Sequence, residues 1–293
     1  QKQSNTEIQN MILIADGGST KTDWAVLDTA TKEVIDRFSM PGFNPSHTSE
    51  EAMREFLTDE LRAQIADLTR TLKKVYFYGA GCVGHGKDVL DRILRDITEC
   101  DNVNVESDIV GAALSLAGHN EAIVSILGTG SNSGLWNGHE FTEHVPPLGF
   151  ILGDEGSGGT MGKRLLTDVL RHRLPEEICS ALLEQYRLTE ADIIHRVYAQ
   201  PRPNAFLASF VPFLKVNIEV PEIRALVESE FDAFVKNNLL LYSKCHTLPC
   251  SFSGSVALVF ADILSDVLVE NGCNVGKIVR RPIQGLINYH FGE

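Results

Sequence analysis

The run Asp16-Gly17-Gly18-Ser19-Thr20-Lys21 brings together what is needed to hold a phosphate group. Gly17 and Gly18 have no Cβ, so the backbone there can take positive φ and approach an anion closely. Successive N–H groups can form an anion-binding nest, with the Ser19 and Thr20 hydroxyls and the Lys21 ammonium as further donors. Asp16, just ahead, is placed to hold a divalent cation through water, because magnesium gives up its hydration shell reluctantly. A type I′ hairpin turn with Gly-Gly at its centre is the plain structural alternative. The same composition returns at Gly128-Thr129-Gly130-Ser131-Asn132-Ser133. Two such loops can clamp a nucleotide's phosphates from both sides, and two incidental turns of this make-up are a poor explanation.

Other carboxylates stand where the chain turns. Asp108 follows a strand-like stretch and opens a helical one, so it is either a helix N-cap or a functional carboxylate at a strand's carboxyl end. Gly153-Asp154-Glu155-Gly156-Ser157 is a flexible turn presenting two carboxylates at a helix N-terminus, where Glu155 complements the helix dipole. Gly79-Ala80-Gly81-Cys82-Val83-Gly84 is a glycine loop at a strand end, the place where open α/β sheets bind ligands. Asn44 lies in a rigid loop, Pro41-Gly42-Phe43-Asn44-Pro45, and Asn before Pro is also a common turn former.

Positioning these residues takes strands that end at the loops. Apolar runs at 12–15 and 24–27 flank the first loop and predict a β-hairpin. Runs at 122–127 and from 134 do the same for the second, and each pair carries a tryptophan (Trp24, Trp136). The repetition reads as an internal duplication. Further strands are expected at 32–39, 75–78, 103–106 and 274–279, with a strand, turn and helix start over 250–257. Helices are expected at 49–68, capped by Ser49, and at 87–97 and 109–116. A helical block follows at 159–173, 176–187, 190–199, 204–214 and 221–245, the third helix opened by a Thr189 and Asp192 cap. Helices over 256–270 and 282–290 complete the chain. His172 and His195 read as solvated helix residues and not as ligands.

At 293 residues the chain is long enough for two domains, each with its own core. A net charge of −13 argues against a nucleic-acid partner. It also means that a bound anion depends on local donors and a metal ion, not on the overall field. The six cysteines include no C-x-x-C pair and fit neither a zinc nor an iron–sulfur site. They read as buried apolar residues in a reducing compartment. Residues 1–10 are polar, lack a signal peptide's apolar core, and read as a leader or an appended remnant before Met11. No window is long and apolar enough to span a membrane, so the expected location is the cytoplasm.

On its two loops, the Gly-Asp-Glu-Gly-Ser turn and Asp108, the chain resembles the sugar kinase, actin and Hsp70 ATPase superfamily. Within it, the resemblance is to the N-acetylglucosamine kinase branch grouped with the BadF/BadG/BcrA/BcrD ATPases, and it covers nearly the whole chain. It implies an α/β, two-lobed ribonuclease H-like (actin-like ATPase) fold with duplicated lobes and an interlobe cleft. The first lobe would span 1–107 and the second 108–293, with the terminal helix packing back on the first. The implied activity is that of an ATP-dependent amino-sugar kinase that phosphorylates N-acetylglucosamine at O6, using ATP and Mg2+. Asp108 would be the general base and Asp16 the magnesium ligand. Gly17, Gly18, Ser19, Thr20, Lys21, Gly128, Thr129, Gly130 and Ser131 would hold ATP. Gly254 and Ser255 would join them at the position of the superfamily's adenosine motif, where this chain has one glycine and many members have two. The sugar would meet Asn44, Gly79, Gly81, Asp108, Thr129, Gly149 and Asp154.

Pocket shape, not motif spacing, separates N-acetylglucosamine from N-acetylmuramic acid, glucosamine and N-acetylmannosamine. The partner implied is thus a small amino sugar, and a homodimer is common in the branch. An ATP-driven activator of the benzoyl-CoA reductase type would need clustered cysteines for an iron–sulfur cluster, and here they are dispersed. A sugar-sensing regulator would need a basic helix-turn-helix ahead of the first loop, where only a short polar stretch stands. The zinc motif of the related ROK kinases is absent.

Overall fold

The computed structural model describes residues 10–18, 20–68 and 72–292. The chain forms two units, Gln1–Gly118 with Arg281–Glu293, and His119–Arg280. In the first, β1 (Met11–Gly17), β2 (Lys21–Asp28), β3 (Glu33–Pro41), β4 (Leu72–Gly79) and β5 (Val103–Ser107) form one sheet in the order β3-β2-β1-β4-β5. The pairs β1–β2 and β2–β3 are antiparallel, and β1–β4 and β4–β5 are parallel. Helices α1 (Glu50–Ile65), α2 (Gly84–Thr98) and α3 (Asp108–Leu116) connect and cover it.

The unbroken apolar run of β1 follows from burial on both faces. Leu13 and Ala15 join Met53, Leu57, Leu61, Leu90 and Leu94 of α1 and α2. Ile12 and Ile14 meet Leu286 and Ile287 of the terminal helix, Ile283–Phe291. Ser49 caps α1 as its spacing predicts, its hydroxyl accepting from the Ala52 N–H at 3.2 Å. Because α3 packs on the terminal helix and on β4, the division between units falls after Gly118 and not at 107/108. Asp108 therefore belongs to the first unit.

The second unit repeats the plan. Strands β6 (Ala122–Leu127), β7 (Ser131–Trp136), β8 (Phe141–Glu143), β9 (Pro249–Ser253) and β10 (Asn274–Val279) lie in the order β10-β9-β6-β7-β8. An antiparallel hairpin, β6–β7, is again followed by parallel pairs, β6–β9 and β9–β10. Its helices are α4 (Gly149–Leu152), α5 (Gly158–Leu170), α6 (Glu176–Tyr186), α7 (Glu190–Tyr198), α8 (Pro203–Ala208), α9 (Val211–Val216), α10 (Pro221–Asn237), α11 (Ser255–Val259) and α12 (Ala261–Glu270). The terminal helix is accordingly α13.

Some boundaries differ from the sequence reading. The single helix expected over 204–214 is two, α8 and α9, because Pro212 can sit only in a first turn. The helix expected over 256–270 breaks at Phe260, and the one over 221–245 stops at Asn237 before a 3₁₀ turn, Leu239–Leu241. Strand β8 and helix α4 were not foreseen. The Thr189–Asp192 capping box forms, His172 and His195 are exposed, and all six cysteines are free and buried. Among the described residues no helix is long and apolar enough to cross a membrane.

Candidate active site

In the first unit the loop between β1 and β2 is a tight hairpin whose Gly18 N–H donates to the Lys21 carbonyl at 2.9 Å. That N–H closes the turn and is thereby taken from the expected nest. Neither Gly17 nor Gly18 takes positive φ, which corrects the conformational reason given for them. The requirement is space. A Cβ at Gly17 would lie 2.8 Å from the Phe77 ring and 3.3 Å from Gly79 Cα, and one at Gly18 would lie 3.1 Å from the Lys21 oxygen. Ala80 N–H donates to the Gly17 carbonyl at 2.8 Å and Gly42 N–H to the Thr20 carbonyl at 2.9 Å, so β4 and the end of β3 hold the loop. The sequence marks Gly42 only as part of a rigid loop, not for this contact. A side chain there would run into the loop backbone, within 2.6 Å of the Thr20 nitrogen. Ser19 lies outside the described residues.

Asp16 is half-buried near the end of β1 and pairs directly across the hairpin with Asp23. Burial, then the charges of Asp23 and Asp108, push its pKa up to about 7, and Arg281 pulls against them. Burial would raise Asp23 too, but hydrogen bonds from Lys21, Ser39 and Arg281 outweigh it and hold this carboxyl below the usual range. The Lys21 ammonium, expected to be an open phosphate donor, pairs with Asp23 at 2.8 Å and keeps 42% of its side chain exposed.

Asp108 is the first residue of α3, with Ser107 at the cap position. The N-cap alternative is therefore not what forms. Its Oδ1 accepts from the Ile109 N–H at 2.9 Å. Burial pushes its pKa up to about 6 against that hydrogen bond. Asn44 makes a local turn, its Oδ1 accepting from the Ser46 N–H at 2.9 Å. Among the described residues its Nδ2 donors have no partner, so the turn and a ligand role are compatible. Gly81 takes φ 74° with Asn44 packed where a side chain would stand, and the Ser46 hydroxyl donates to its carbonyl at 2.8 Å. Gly79 is likewise closed in, by Phe77 and by Cys82 Sγ 3.1 Å from a would-be Cβ.

In the second unit the β6–β7 loop turns tightly, with Gly128 N–H donating to the Gly130 carbonyl at 3.0 Å. Its carbonyls serve α5, since Gly158 and Gly159 donate to Gly128 and Thr129 at 2.8 and 3.0 Å. The Ser131 N–H donates to Asp154 Oδ1 at 3.1 Å, and a Cβ at Gly130 would lie 2.9 Å from the same carboxylate. Asp154 thus sits directly against the second loop, in a left-handed conformation with φ 61°. Burial, the largest influence, raises its pKa, and the Ser131 hydrogen bond opposes it. A cavity of about 60 Å³ lies here, lined by Ser131, Asn132, Leu148, Asp154, Glu155 and Asn237 among others. Glu155 orders this turn by accepting from Asn237 Nδ2 at 3.1 Å. Gly149 opens α4 at φ 74°. Gly254, at φ 126°, precedes α11, and a Cβ on it would meet the Leu127 carbonyl at the end of β6. The turn expected at the adenosine, Gly254 and Ser255, therefore abuts the strand that delivers Gly128.

Two repeated five-stranded units with a glycine hairpin loop in each define the fold of the sugar kinases and actin-like ATPases. A structure of a candidate N-acetylglucosamine kinase from Porphyromonas gingivalis is 41% identical, covers 97% of this chain and 99% of its own, and superposes with a TM-score of 0.93. The corresponding structure from Chromobacterium violaceum is 18% identical with a TM-score of 0.72, covering 96% and 99%, and shares the fold. So does a ROK family glucokinase from Streptomyces griseus solved with glucose and AMPPNP, 16% identical, TM-score 0.57, covering 96% and 98%. The N-acetyl-D-glucosamine kinase of Dictyostelium discoideum is 27% identical over 213 residues, 62% of this chain and 63% of that protein. The match thus spans less than two thirds of that enzyme's length. No family model matches the chain. The chain belongs to the N-acetylglucosamine kinase family of the sugar kinase and actin-like ATPase superfamily.

Proposed function

We propose that the chain is a cytoplasmic ATP-dependent kinase for a small amino sugar, N-acetylglucosamine in the first place, phosphorylated at O6. The observation that carries the reading is Asp108, a half-buried carboxylate at the carboxyl end of β5, near enough to Asp16 for its charge to be felt there. A sugar hydroxyl is too weak an acid to lose its proton unaided at neutral pH. Asp108 orients the hydroxyl oxygen and accepts its proton as the new P–O bond forms. The sugar contacts of this reading are Asn44, Gly79, Gly81, Thr129, Gly149 and Asp154.

Asp16, a half-buried carboxylate that feels the charges of Asp23 and Asp108, is an oxygen donor of the kind a magnesium ion takes. Asp16 would hold it, most readily through water, and the ion would neutralise charge on the phosphates. The phosphate contacts of this reading are Gly17, Gly18, Ser19, Thr20, Lys21, Gly128, Thr129, Gly130 and Ser131, with Gly254 and Ser255 for the adenosine. The cysteines are dispersed along the chain, but Cys245, Cys250 and Cys273 come together in the buried core of the second unit.

The test is ADP release with ATP–Mg against N-acetylglucosamine, N-acetylmannosamine, N-acetylmuramic acid and glucosamine, for the parent and Asp108→Asn. Asn keeps the size and can still accept from Ile109 N–H. The parent should prefer N-acetylglucosamine, and the variant should lose about 10²–10⁴-fold in kcat with substrate binding largely kept. Turnover above about a tenth of the parent rate would send the search for the base elsewhere.

A further inference from the structure

Asp23 is the most heavily tied side chain beside the first loop, and the reaction just described makes no use of it. It stands opposite Asp16 in the β1–β2 pair and opposite Ser39 in the β2–β3 pair. Like charges directly opposed across strands repel, so a second carboxylate here has to be offset. The Ser39 hydroxyl donates to Asp23 Oδ1 at 2.6 Å and the Lys21 ammonium reaches the same oxygen at 2.8 Å. The Arg281 guanidinium bonds the other oxygen. The Asp23 side chain is 13% exposed, whereas Lys21 and Arg281 are 42% and 41% exposed. The carboxylate is sunk and the two cations stand out from it. An ammonium has three donors and a guanidinium five, so each keeps more than it spends on Asp23. Among the described residues Arg281 has no other hydrogen-bond partner.

We propose that Asp23 is a positioning residue that holds Lys21 and Arg281 as a cation pair for the nucleotide's polyphosphate, making Arg281 a second phosphate contact beside the first loop. The inference rests on the reading that this unit binds ATP. Two arguments support it. A long side chain that is already anchored has lost its rotamer freedom on folding and gives up less of it on binding. The local charge also favours it, because Asp23 by itself offsets Lys21 and leaves Arg281 to supply the positive charge an anion needs. A planar guanidinium also matches phosphate geometry better than a point charge.

Arg281→Gln, Arg281→Lys and Asp23→Asn test this through kcat, the separate KM values for ATP and sugar, calorimetric affinity for ADP–Mg and ATP–Mg, and Tm. Arg281→Gln should raise the ATP KM about tenfold, the scale of a lost charge-assisted hydrogen bond, while the sugar KM stays within about twofold. Arg281→Lys should recover part of the loss. Asp23→Asn should also raise the ATP KM and add little on top of Arg281→Gln, as coupled neighbours do. A structural tie would instead lower Tm and move both KM values together, and that result overturns the proposal. So does an Arg281→Gln variant that binds ATP–Mg like the parent. If the parent phosphorylates no amino sugar, the proposed reaction falls, while the ATP–Mg and ADP–Mg affinities still decide the role of Arg281.

Discussion

As the proposed general base, Asp108 would couple catalysis to stability through its proton. Its folded pKa of about 6 stands above the ordinary aspartate value of 3.8, with burial as the main cause. Between those values the folded chain keeps a proton that the unfolded chain has released, so stability falls as pH rises through that window. The cost is fully present at pH 8 and largely gone near pH 4. Asp108→Asn should therefore raise Tm at pH 8 by more than at pH 4, read by calorimetry at the two values. An equal gain at both would assign the effect to packing. The same proton predicts that the parent's kcat falls as pH drops through about 6, because a protonated base accepts nothing. Asp16 and Asp108 stood out in the sequence because they lie where apolar patterning ends or opens an element, and Asp154 because glycines bound its turn. Asp23 and Arg281 were not, since 258 positions separate them and only the docking of α13 brings them together.

At the scale of elements, the two glycine hairpins were legible because an apolar run, a polar glycine loop and a second apolar run leave few alternatives. The reason for each glycine was not legible, because it depends on what packs alongside. This distinction gives a cleaner test of the second loop than a bulky substitution would. Nothing lies within 4 Å of a Cβ built on Gly128, whereas one on Gly130 would crowd Asp154 and one on Gly254 would strike the Leu127 carbonyl. Gly128→Ala should fold as well as the parent, and any loss of ATP–Mg affinity in calorimetry then belongs to the ligand. Unchanged affinity would make the loop a plain turn. Gly254→Ala should lose about 1–3 kcal/mol in urea unfolding, the scale of a strained left-handed backbone. An unaltered unfolding midpoint would mean that the Gly254 turn relaxes at no cost. Breaks at Pro212 and Phe260 escaped the sequence reading, since helical periodicity continues across a break that only local packing decides.

At the scale of the whole molecule, the chain's last residues complete its first unit. Leu286 and Ile287 are fully buried against Ile12, Ile14, Ala25 and Leu27, the face of the sheet that α1 and α2 do not cover. The Tyr78 hydroxyl and His290 Nε2 share a 3.0 Å hydrogen bond on the same face, and Arg37 donates to Gln284 at 2.7 Å. The hairpin that carries Asp16 and Lys21 is thus held from behind by a helix more than two hundred residues further along. Leu286→Ala removes a fully buried side chain and should cost about 2–5 kcal/mol, depending on how far the site collapses. The loss should be local to the first unit. In native-state hydrogen exchange, protection should fall in β1, β2 and α3 and stay near the parent level in β6, β7 and β9. Equal loss in both sets would show that the two sheets unfold as one cooperative block, whereas loss confined to β1, β2 and α3 makes the terminal helix the stabiliser of the first glycine loop.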